Sequence, residues 1–233
     1  MSHPLRLHYA PDNASLCIRL ALEELGLPYE TVLVDRATQA QRSPAYLALN
    51  PNGLIPVLET PEGPLFETGA ILLWLADTHG GLLPAPGDPG RGAALKWLFW
   101  LSNTLHATLR GLFYPDIHVG PDPAAQALFL AQTQVRLRDQ FRILAQASDA
   151  DWLDNAQPSA HACYLAPLLR WPVFYGENIG WFTLSDWPRL SGFATRFETR
   201  PAAVRACGAE SLGPTPFSAP KTLNPLGIGP TDA

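Results

Sequence analysis

The chain has 233 residues, 47% of them hydrophobic, and a formal net charge of −5 at pH 7. A chain of this length buries enough apolar surface to fold without disulfides or structural metal ions. Its 16 basic residues form no run in the sequence. This composition argues against nucleic acid and anionic membranes as partners.

Cysteine and histidine usage indicates neither a disulfide framework nor a metal site. Cys17, Cys163 and Cys207 are odd in number and form no closely spaced pair. The six histidines lie at no metal-binding spacing, so we expect no metal cofactor. The first twenty residues lack the apolar stretch of a secretion signal, and no apolar run is long enough to span a bilayer. We therefore expect a soluble, cytoplasmic protein.

The first part of the chain predicts a strand–helix–strand unit. Leu5–Tyr9 alternates between polar and apolar residues, as a strand does. Asp12 and Asn13 are N-cap residue types, and they precede Ala14–Leu25, where leucines recur at helical spacing. Tyr29–Val34 is rich in β-branched residues and predicts the second strand. A connection of this length implies that the two strands run parallel.

A hairpin and a helix follow this unit. A short helical segment is predicted at Pro44–Leu49, and a strand within Asn50–Glu59. The turn at Pro61–Gly63 leads back into a partner strand around Leu65. Thr68–His79 then predicts a strong helix. Residues 1–80 thus have the order βαβ-ββα.

The remainder of the chain predicts helices only. Residues 81–90 are rich in glycine and proline and are interpreted as a linker, and residues 91–210 as an all-α domain. Residues 211–233 are again rich in glycine and proline, which predicts an extended tail. Helices are predicted at Arg91–Leu112, Ala124–Ala147, Ser159–Leu169 and Trp187–Arg200, with a brief one after Pro201.

Three segments resemble the glutathione transferase family. They read ALEELGLPYE at 21–30, NPNGLIPVLE at 50–59 and FETGAILLWLA at 66–76. The last two occur together in the family's register, which is a specific combination. The resemblance covers about residues 5–208. It implies an α/β thioredoxin-like domain that binds glutathione, followed by an all-α domain that holds a second substrate.

The resemblance places glutathione on two of these segments. An extended peptide binds by pairing with exposed backbone groups, and a cis proline beside a strand leaves such groups free. By resemblance, the bond from Ile55 to Pro56 is cis, and Val57 gives two backbone hydrogen bonds to the cysteinyl unit. Glu67 accepts from the γ-glutamyl ammonium group. Thr68 donates to the γ-glutamyl carboxylate at the positive end of a helix, or it only caps its own helix.

Leu54 departs from the family pattern. Many members carry Lys, Gln or Arg at this position of the glutathione site, where it meets the glycyl carboxylate. Either Gln39, Gln41 or Arg42 replaces that contact, or glutathione binds less tightly. Because a charge-assisted hydrogen bond contributes roughly 1.5–3 kcal/mol, its loss corresponds to about ten- to a hundredfold weaker binding.

The residue that activates the glutathione thiol is expected at the start of the first helix. Ala14 stands where the beta class carries Cys. Asp12 would raise the thiol pKa rather than lower it, so we expect it to cap the helix. Three candidates remain: the hydroxyl of Ser15, the amide of Asn13 and the phenol of Tyr9. Ser15 is the first choice among them.

A polar stripe on the first long helix of the second domain is a candidate wall for the second-substrate pocket. His106, Arg110 and Tyr114 recur there at every fourth position, on one helix face. The alternative is that this stripe faces solvent or a dimer partner.

Three functions are compatible with these residues. The leading hypothesis is a homodimeric glutathione transferase that conjugates glutathione to a small hydrophobic electrophile. A glutathione-dependent disulfide reductase is the second hypothesis. It is favoured by Ala14, which stands where the beta class has Cys, together with the amide of Asn13. A non-catalytic ligand-binding or interaction protein is the third. It is favoured by Leu54 and by Ala162. In the family's capping box, which Ser159 begins here, Ala162 stands where the family has aspartate.

Overall fold

The computed structural model describes residues 4–154, 157–175 and 180–221. Its N-terminal region contains a four-stranded sheet with the strand order β2-β1-β3-β4. The strands are β1 (Leu5–Tyr9), β2 (Tyr29–Leu33), β3 (Val57–Thr60) and β4 (Gly63–Phe66). β1 runs parallel to β2 and antiparallel to β3, and β3 pairs antiparallel with β4. The predicted parallel unit and hairpin are both confirmed.

Helices cover both faces of this sheet. They are α1 (Ser15–Leu25), α2 (Pro44–Leu47) and α3 (Thr68–His79). Successive residues of a strand point to opposite faces. Accordingly, Leu58 of β3 joins the main core with α1 and α3, whereas Val57 packs with Tyr46 of α2 on the other face. This is the thioredoxin-like arrangement, and an all-α region follows it.

The helical region begins after a connection rich in glycine and proline. The predicted helices are present within a few residues of their expected bounds. Leu101–His106 forms a π-helical segment that joins α4 and α5. The short α6 was not predicted. The helices are α4 (Arg91–Trp100), α5 (Ala107–Phe113), α6 (Pro115–Val119), α7 (Pro123–Gln146), α8 (Ala160–Arg170), α9 (Pro188–Glu198) and α10 (Pro201–Ala209).

Helix α8 is the centre of the helical region, and all its residues are buried. Helix α1 packs against both α8 and α10, so one continuous core joins the two regions. Ser159 caps α8, because its Oγ accepts a hydrogen bond of 3.0 Å from the N–H of Ala162. Within the described ranges, every helix is too short or too polar to cross a membrane.

The start of α1 differs from the prediction. Its N-cap residue is Ala14, and no side chain caps the helix. Asp12 is therefore not the expected cap, because its carboxylate is bound by Arg170 instead. The predicted tail is described only as far as Lys221, so residues 222–233 lie outside the described residues.

Candidate functional site

A cavity of about 510 Å³ lies between the sheet and the helical region. The N-terminal region contributes the loop after β1, the segment before β3 and the start of α3. The helical region contributes the π-helical segment, α5 and the end of α8. Residues from both regions therefore surround any ligand that occupies it.

The segment before β3 forms one wall of the cavity. Leu54, Ile55 and Pro56 line it, and the peptide bond from Ile55 to Pro56 is cis. Two hydrogen bonds hold this segment in place, because the carbonyl of Leu54 accepts from the Tyr46 hydroxyl at 2.9 Å and from Asn50 Nδ2 at 2.7 Å. In the described part of the chain, the N–H and C=O of Ile55 bond to no other backbone group.

Val57 lies elsewhere than the resemblance implied. It is the first residue of β3, it pairs with both neighbouring strands, and its side chain is fully buried. Val57 is not among the residues that line the cavity. Ile55, two residues earlier, does line the cavity.

The start of α3 forms the second wall. Glu67 and Thr68 both line the cavity. Glu67 has a φ of 72°, a conformation that residues with a side chain rarely adopt. It is the N-cap residue of α3, and no side chain caps this helix. The Thr68 hydroxyl therefore does not cap α3, and the first N–H groups of the helix have no intrahelical acceptor.

Asn13, like its neighbour Asp12, is a polar residue of the loop after β1 that lines the cavity. Its Oδ1 accepts a hydrogen bond of 2.9 Å from the N–H of Ala14. This bond identifies the oxygen of the amide, so its NH₂ group is the part left to donate. Asn13 can therefore offer N–H groups to an anion in the cavity.

Ser15 and Tyr9 do not line this cavity. Ser15 is fully buried, and its Oγ donates to the carbonyl of Ala10 at 3.1 Å and accepts from the Ala10 N–H at 3.3 Å. The expected first-choice hydroxyl is thus engaged by backbone and is not available to a ligand. The guanidinium of Arg19 lies 4.5 Å from the centre of the Tyr9 ring.

Buried charges hold the loop that carries Asn13. Asp12, with a φ of 53°, accepts two hydrogen bonds of 2.8 Å from Arg170 and one of 3.0 Å from Trp171 Nε1. Its backbone N–H donates to a carboxylate oxygen of Glu210 at 2.9 Å. Sequence reasoning missed Arg170, because no local pattern connects residues 158 positions apart.

On the helical side, His106, Arg110 and Tyr114 all line the cavity, as one of the two alternatives predicted. His106 Nδ1 lies 2.9 Å from the hydroxyl of Tyr164. Burial, aided by the charge of Arg110, lowers the pKa of His106 to about 4. The imidazole is therefore neutral at pH 7.

Aromatic rings form the rest of this side. Phe113, Trp171 and Tyr175 line the cavity. The rings of Phe113 and Tyr175 have centroids 4.3 Å apart, and Phe113 meets Trp171 edge-on at 5.9 Å. These contacts predict a pocket suited to a planar apolar group.

Three arginines line the cavity: Arg36, Arg42 and Arg110. Arg42 donates to the carbonyl of Asn52 at 3.3 Å, beside the Leu54 segment. Of the three residues expected to compensate for Leu54, Gln41 and Arg42 line the cavity, whereas Gln39 does not. Arg36 was not predicted, because it lies in the loop after β2, outside the recognised segments.

No cysteine that the structure describes lines this cavity. Cys17, Cys163 and Cys207 are free and buried, and none lines it. Burial raises the pKa of the Cys17 thiol well above its ordinary value. Among the described residues, no cluster of His, Cys, Asp and Glu is arranged to hold a metal ion.

Comparisons with known proteins agree with this arrangement. Residues 4–77 match the family model of the glutathione S-transferase N-terminal domain. Escherichia coli glutathione S-transferase GstB is 31% identical over 79% of this chain and 88% of its own length. The disulfide-bond oxidoreductase YfcG of the same species is 29% identical over 89% of this chain and 96% of its own.

Solved structures extend the similarity over the full fold. The structure of a sphingomonad glutathione S-transferase complexed with glutathione aligns with a TM-score of 0.72 and 29% identity. The alignment covers 89% of this chain and 100% of that chain. With sequence, fold and cavity in agreement over most of its length, this chain belongs to the glutathione S-transferase family.

Proposed function

We propose that this protein binds glutathione in the cavity and transfers its thiolate to a small electrophile. One observation carries the proposal: Ile55, Thr68 at the open start of α3 and Asn13 all line a single cavity. Glutathione needs all three kinds of partner at once. It has a backbone to pair, two carboxylates to hold and a thiol to orient.

The cavity offers a partner for each charged end of glutathione. The cysteinyl backbone pairs with the N–H and C=O of Ile55. The γ-glutamyl carboxylate binds the hydroxyl of Thr68 and the first N–H groups of α3, where the helix dipole favours an anion. Glu67 accepts from the ammonium group. Arg42 is the cation beside Leu54, and it takes the glycyl carboxylate.

In this arrangement the Asn13 amide donates to the sulfur. Conjugation removes the thiol proton to solvent and forms a carbon–sulfur bond, while a leaving group departs or a double bond is saturated. Lowering the thiol pKa by two units needs roughly 2.7 kcal/mol and increases the fraction of thiolate at pH 7. A thiolate of lower pKa is a weaker nucleophile, which offsets most of that increase. Holding both substrates together contributes more, so Asn13 mainly orients the sulfur.

Titration calorimetry with reduced glutathione at pH 7 tests the proposal. We expect a dissociation constant between micromolar and low millimolar, and about tenfold weaker binding by Thr68→Val, which loses one hydroxyl. Thr78→Val is the matched control, because Thr78 lies exposed at the other end of α3. Absence of binding up to tens of millimolar would exclude catalysis with glutathione and leave the ligand-binding alternative.

Glutathione-dependent disulfide reduction is the second candidate function. It is favoured by the similarity to a protein named a disulfide-bond oxidoreductase, and by a cavity without cysteine. One glutathione thiolate would attack the substrate disulfide and release a thiol, and a second would resolve the mixed disulfide into oxidised glutathione. Turnover of 2-hydroxyethyl disulfide without turnover of 1-chloro-2,4-dinitrobenzene would favour this reaction.

We further propose a homodimer in the cytoplasm, on the family resemblance. A light-scattering mass near twice the chain mass of 25.4 kDa is expected. A mass near that of one chain would refute the dimer without affecting the proposed chemistry.

A further inference from the structure

Two arginines from different regions converge on one tyrosine in the cavity wall. Arg36, in the loop after β2, donates to the hydroxyl of Tyr114 at 3.2 Å. Arg110 of α5 lies with its guanidinium 5.9 Å from the centre of the Tyr114 ring. All three side chains are partly buried, and all three line the cavity.

Neither arginine forms an ion pair within the described residues. Arg36 has the Tyr114 hydroxyl as its hydrogen-bond partner, and Arg110 has only ring contact and the neighbouring His106. Elsewhere, buried or partly buried arginines of this chain meet carboxylates: Arg19 meets Glu210, and Arg170 meets Asp12. Partly buried charge without a counterion is unfavourable, and a bound anion would relieve it.

The carboxylates that line the cavity do not serve these two arginines. Asp12 is neutralised by Arg170, with both side chains almost fully buried. Glu67 lies at the start of α3, beside the place proposed for the glutathione ammonium group. The cavity wall is therefore positive where Arg36 and Arg110 meet Tyr114, although the chain as a whole carries −5.

The positive charge stands next to the aromatic wall. Tyr114 contacts Phe113 edge-on at 6.3 Å between centroids, and Phe113 contacts Tyr175 and Trp171. A ligand that fills this side meets flat apolar surface and, at one edge, two guanidinium groups. Arginine binds a carboxylate through paired, charge-assisted hydrogen bonds.

From this juxtaposition we infer that the second substrate is an anionic electrophile, an aromatic or conjugated carboxylic acid, and that Arg110, assisted by Arg36, binds its carboxylate. The inference rests on the proposed function and names the substrate class of the same site. Arg42 and Thr68 already serve the two glutathione carboxylates, so the Arg36–Arg110 pair is left for the co-substrate.

A matched pair of substrates tests this inference. 4-Chloro-3-nitrobenzoate and 4-chloro-3-nitrobenzamide share their ring and leaving group. In both, glutathione forms a carbon–sulfur bond at the chlorinated carbon, chloride departs and the thiol proton passes to solvent. Each kcat/KM is divided by the uncatalysed rate constant. We expect the normalised value to favour the benzoate by about tenfold or more.

Variants assign the preference to the arginine. Arg110→Gln should lower the benzoate value by about ten- to a hundredfold more than the benzamide value, with the KM for glutathione nearly unchanged. Arg136→Gln on α7 is the control, because it removes the same charge from an exposed position outside the cavity. An equal loss for both substrates, or a raised KM for glutathione, would overturn the inference.

A binding measurement separates this inference from the proposed function. Calorimetry with 3-nitrobenzoate and 3-nitrobenzamide, with and without S-methylglutathione, requires no turnover. Tighter binding of the acid in wild type but not in Arg110→Gln supports the anion subsite, even where conjugation fails. Equal binding of acid and amide by a protein that binds glutathione overturns the subsite and leaves the proposed function intact.

Discussion

Arg170, the last residue of α8, and Asp12, in the loop after β1, form a buried bidentate ion pair. The Nε–Oδ1 and Nη2–Oδ2 distances are both 2.8 Å, and the side chain of Arg170 is fully buried. The pair fastens the centre of the helical region to the loop that presents Asn13. The guanidinium of Arg170 also donates hydrogen bonds to the carbonyls of Pro216 and Lys221.

Breaking this pair should destabilise the whole protein. Arg170→Met leaves the Asp12 carboxylate buried without its cation, which costs about 3–5 kcal/mol. For a chain of this size that corresponds to a fall in Tm of at least about 6 °C by differential scanning calorimetry. Arg142→Met is the control, because its partner Asp139 and Arg142 itself are exposed, and the Tm should hardly change. A fall of less than 2 °C for Arg170→Met would mean that the pair contributes little.

The segment after α10 should support the loop after β1, which carries Asp12 and Asn13. Glu198 accepts from the N–H groups of Phe217 and Ser218, and the carbonyl of Pro216 accepts from Arg170 at 3.0 Å. A chain that ends after Gly213 loses these contacts and exposes the Arg170 charge. We expect a lower Tm and weaker glutathione binding by calorimetry than in a chain that ends after Lys221. Equal values for the two chains would contradict a supporting role for residues 214–221.

Asn13 and Ser15 should give opposite results when each is replaced by alanine. Asn13→Ala removes the donor from the cavity, so the pKa of the bound thiol should rise and kcat/KM should fall by about tenfold near pH 7, less at high pH. Ser15→Ala removes the buried partner of the Ala10 backbone and should cost about 1–3 kcal/mol of stability instead. Thiolate absorbance of bound glutathione against pH, with urea unfolding of both variants, measures the two effects. A raised thiol pKa in Ser15→Ala alone would reverse the assignment.

Patterns in the sequence predict what depends on near neighbours in the chain. The alternation of polar and apolar residues predicted strand β1, and the spacing of leucines predicted helix α1, each with bounds correct to within a residue or two. The roles of Asn13 and Ser15 could not be separated in the same way, because both lie at the start of α1 and only the folded loop decides which of them lines the cavity. Arg170 and Arg36 carry no local signal, since their contacts come from distant segments. Helix α6 is too short for periodicity to reveal.

Glu210 should make the stability of the fold depend on pH. It is almost fully buried; burial raises the pKa of its carboxyl to about 7, although Arg19 and the Asp12 N–H partly oppose the shift. Between the ordinary value of 4.5 and about 7, the folded protein keeps a proton that the unfolded chain has lost. The free energy of unfolding therefore falls as pH rises through this window, by up to about 3 kcal/mol from this one group.

Glu210→Gln removes this titration and keeps an oxygen that can accept from Arg19. Relative to wild type, the variant should gain unfolding free energy as pH rises from 5 to 8, measured by urea denaturation at each pH. The histidines work in the opposite direction in both proteins, because burial lowers the pKa of His106 and of His161 to about 4. The difference between the two proteins thus isolates Glu210. Parallel stability curves would mean that Glu210 stays ionised beside Arg19 throughout this range.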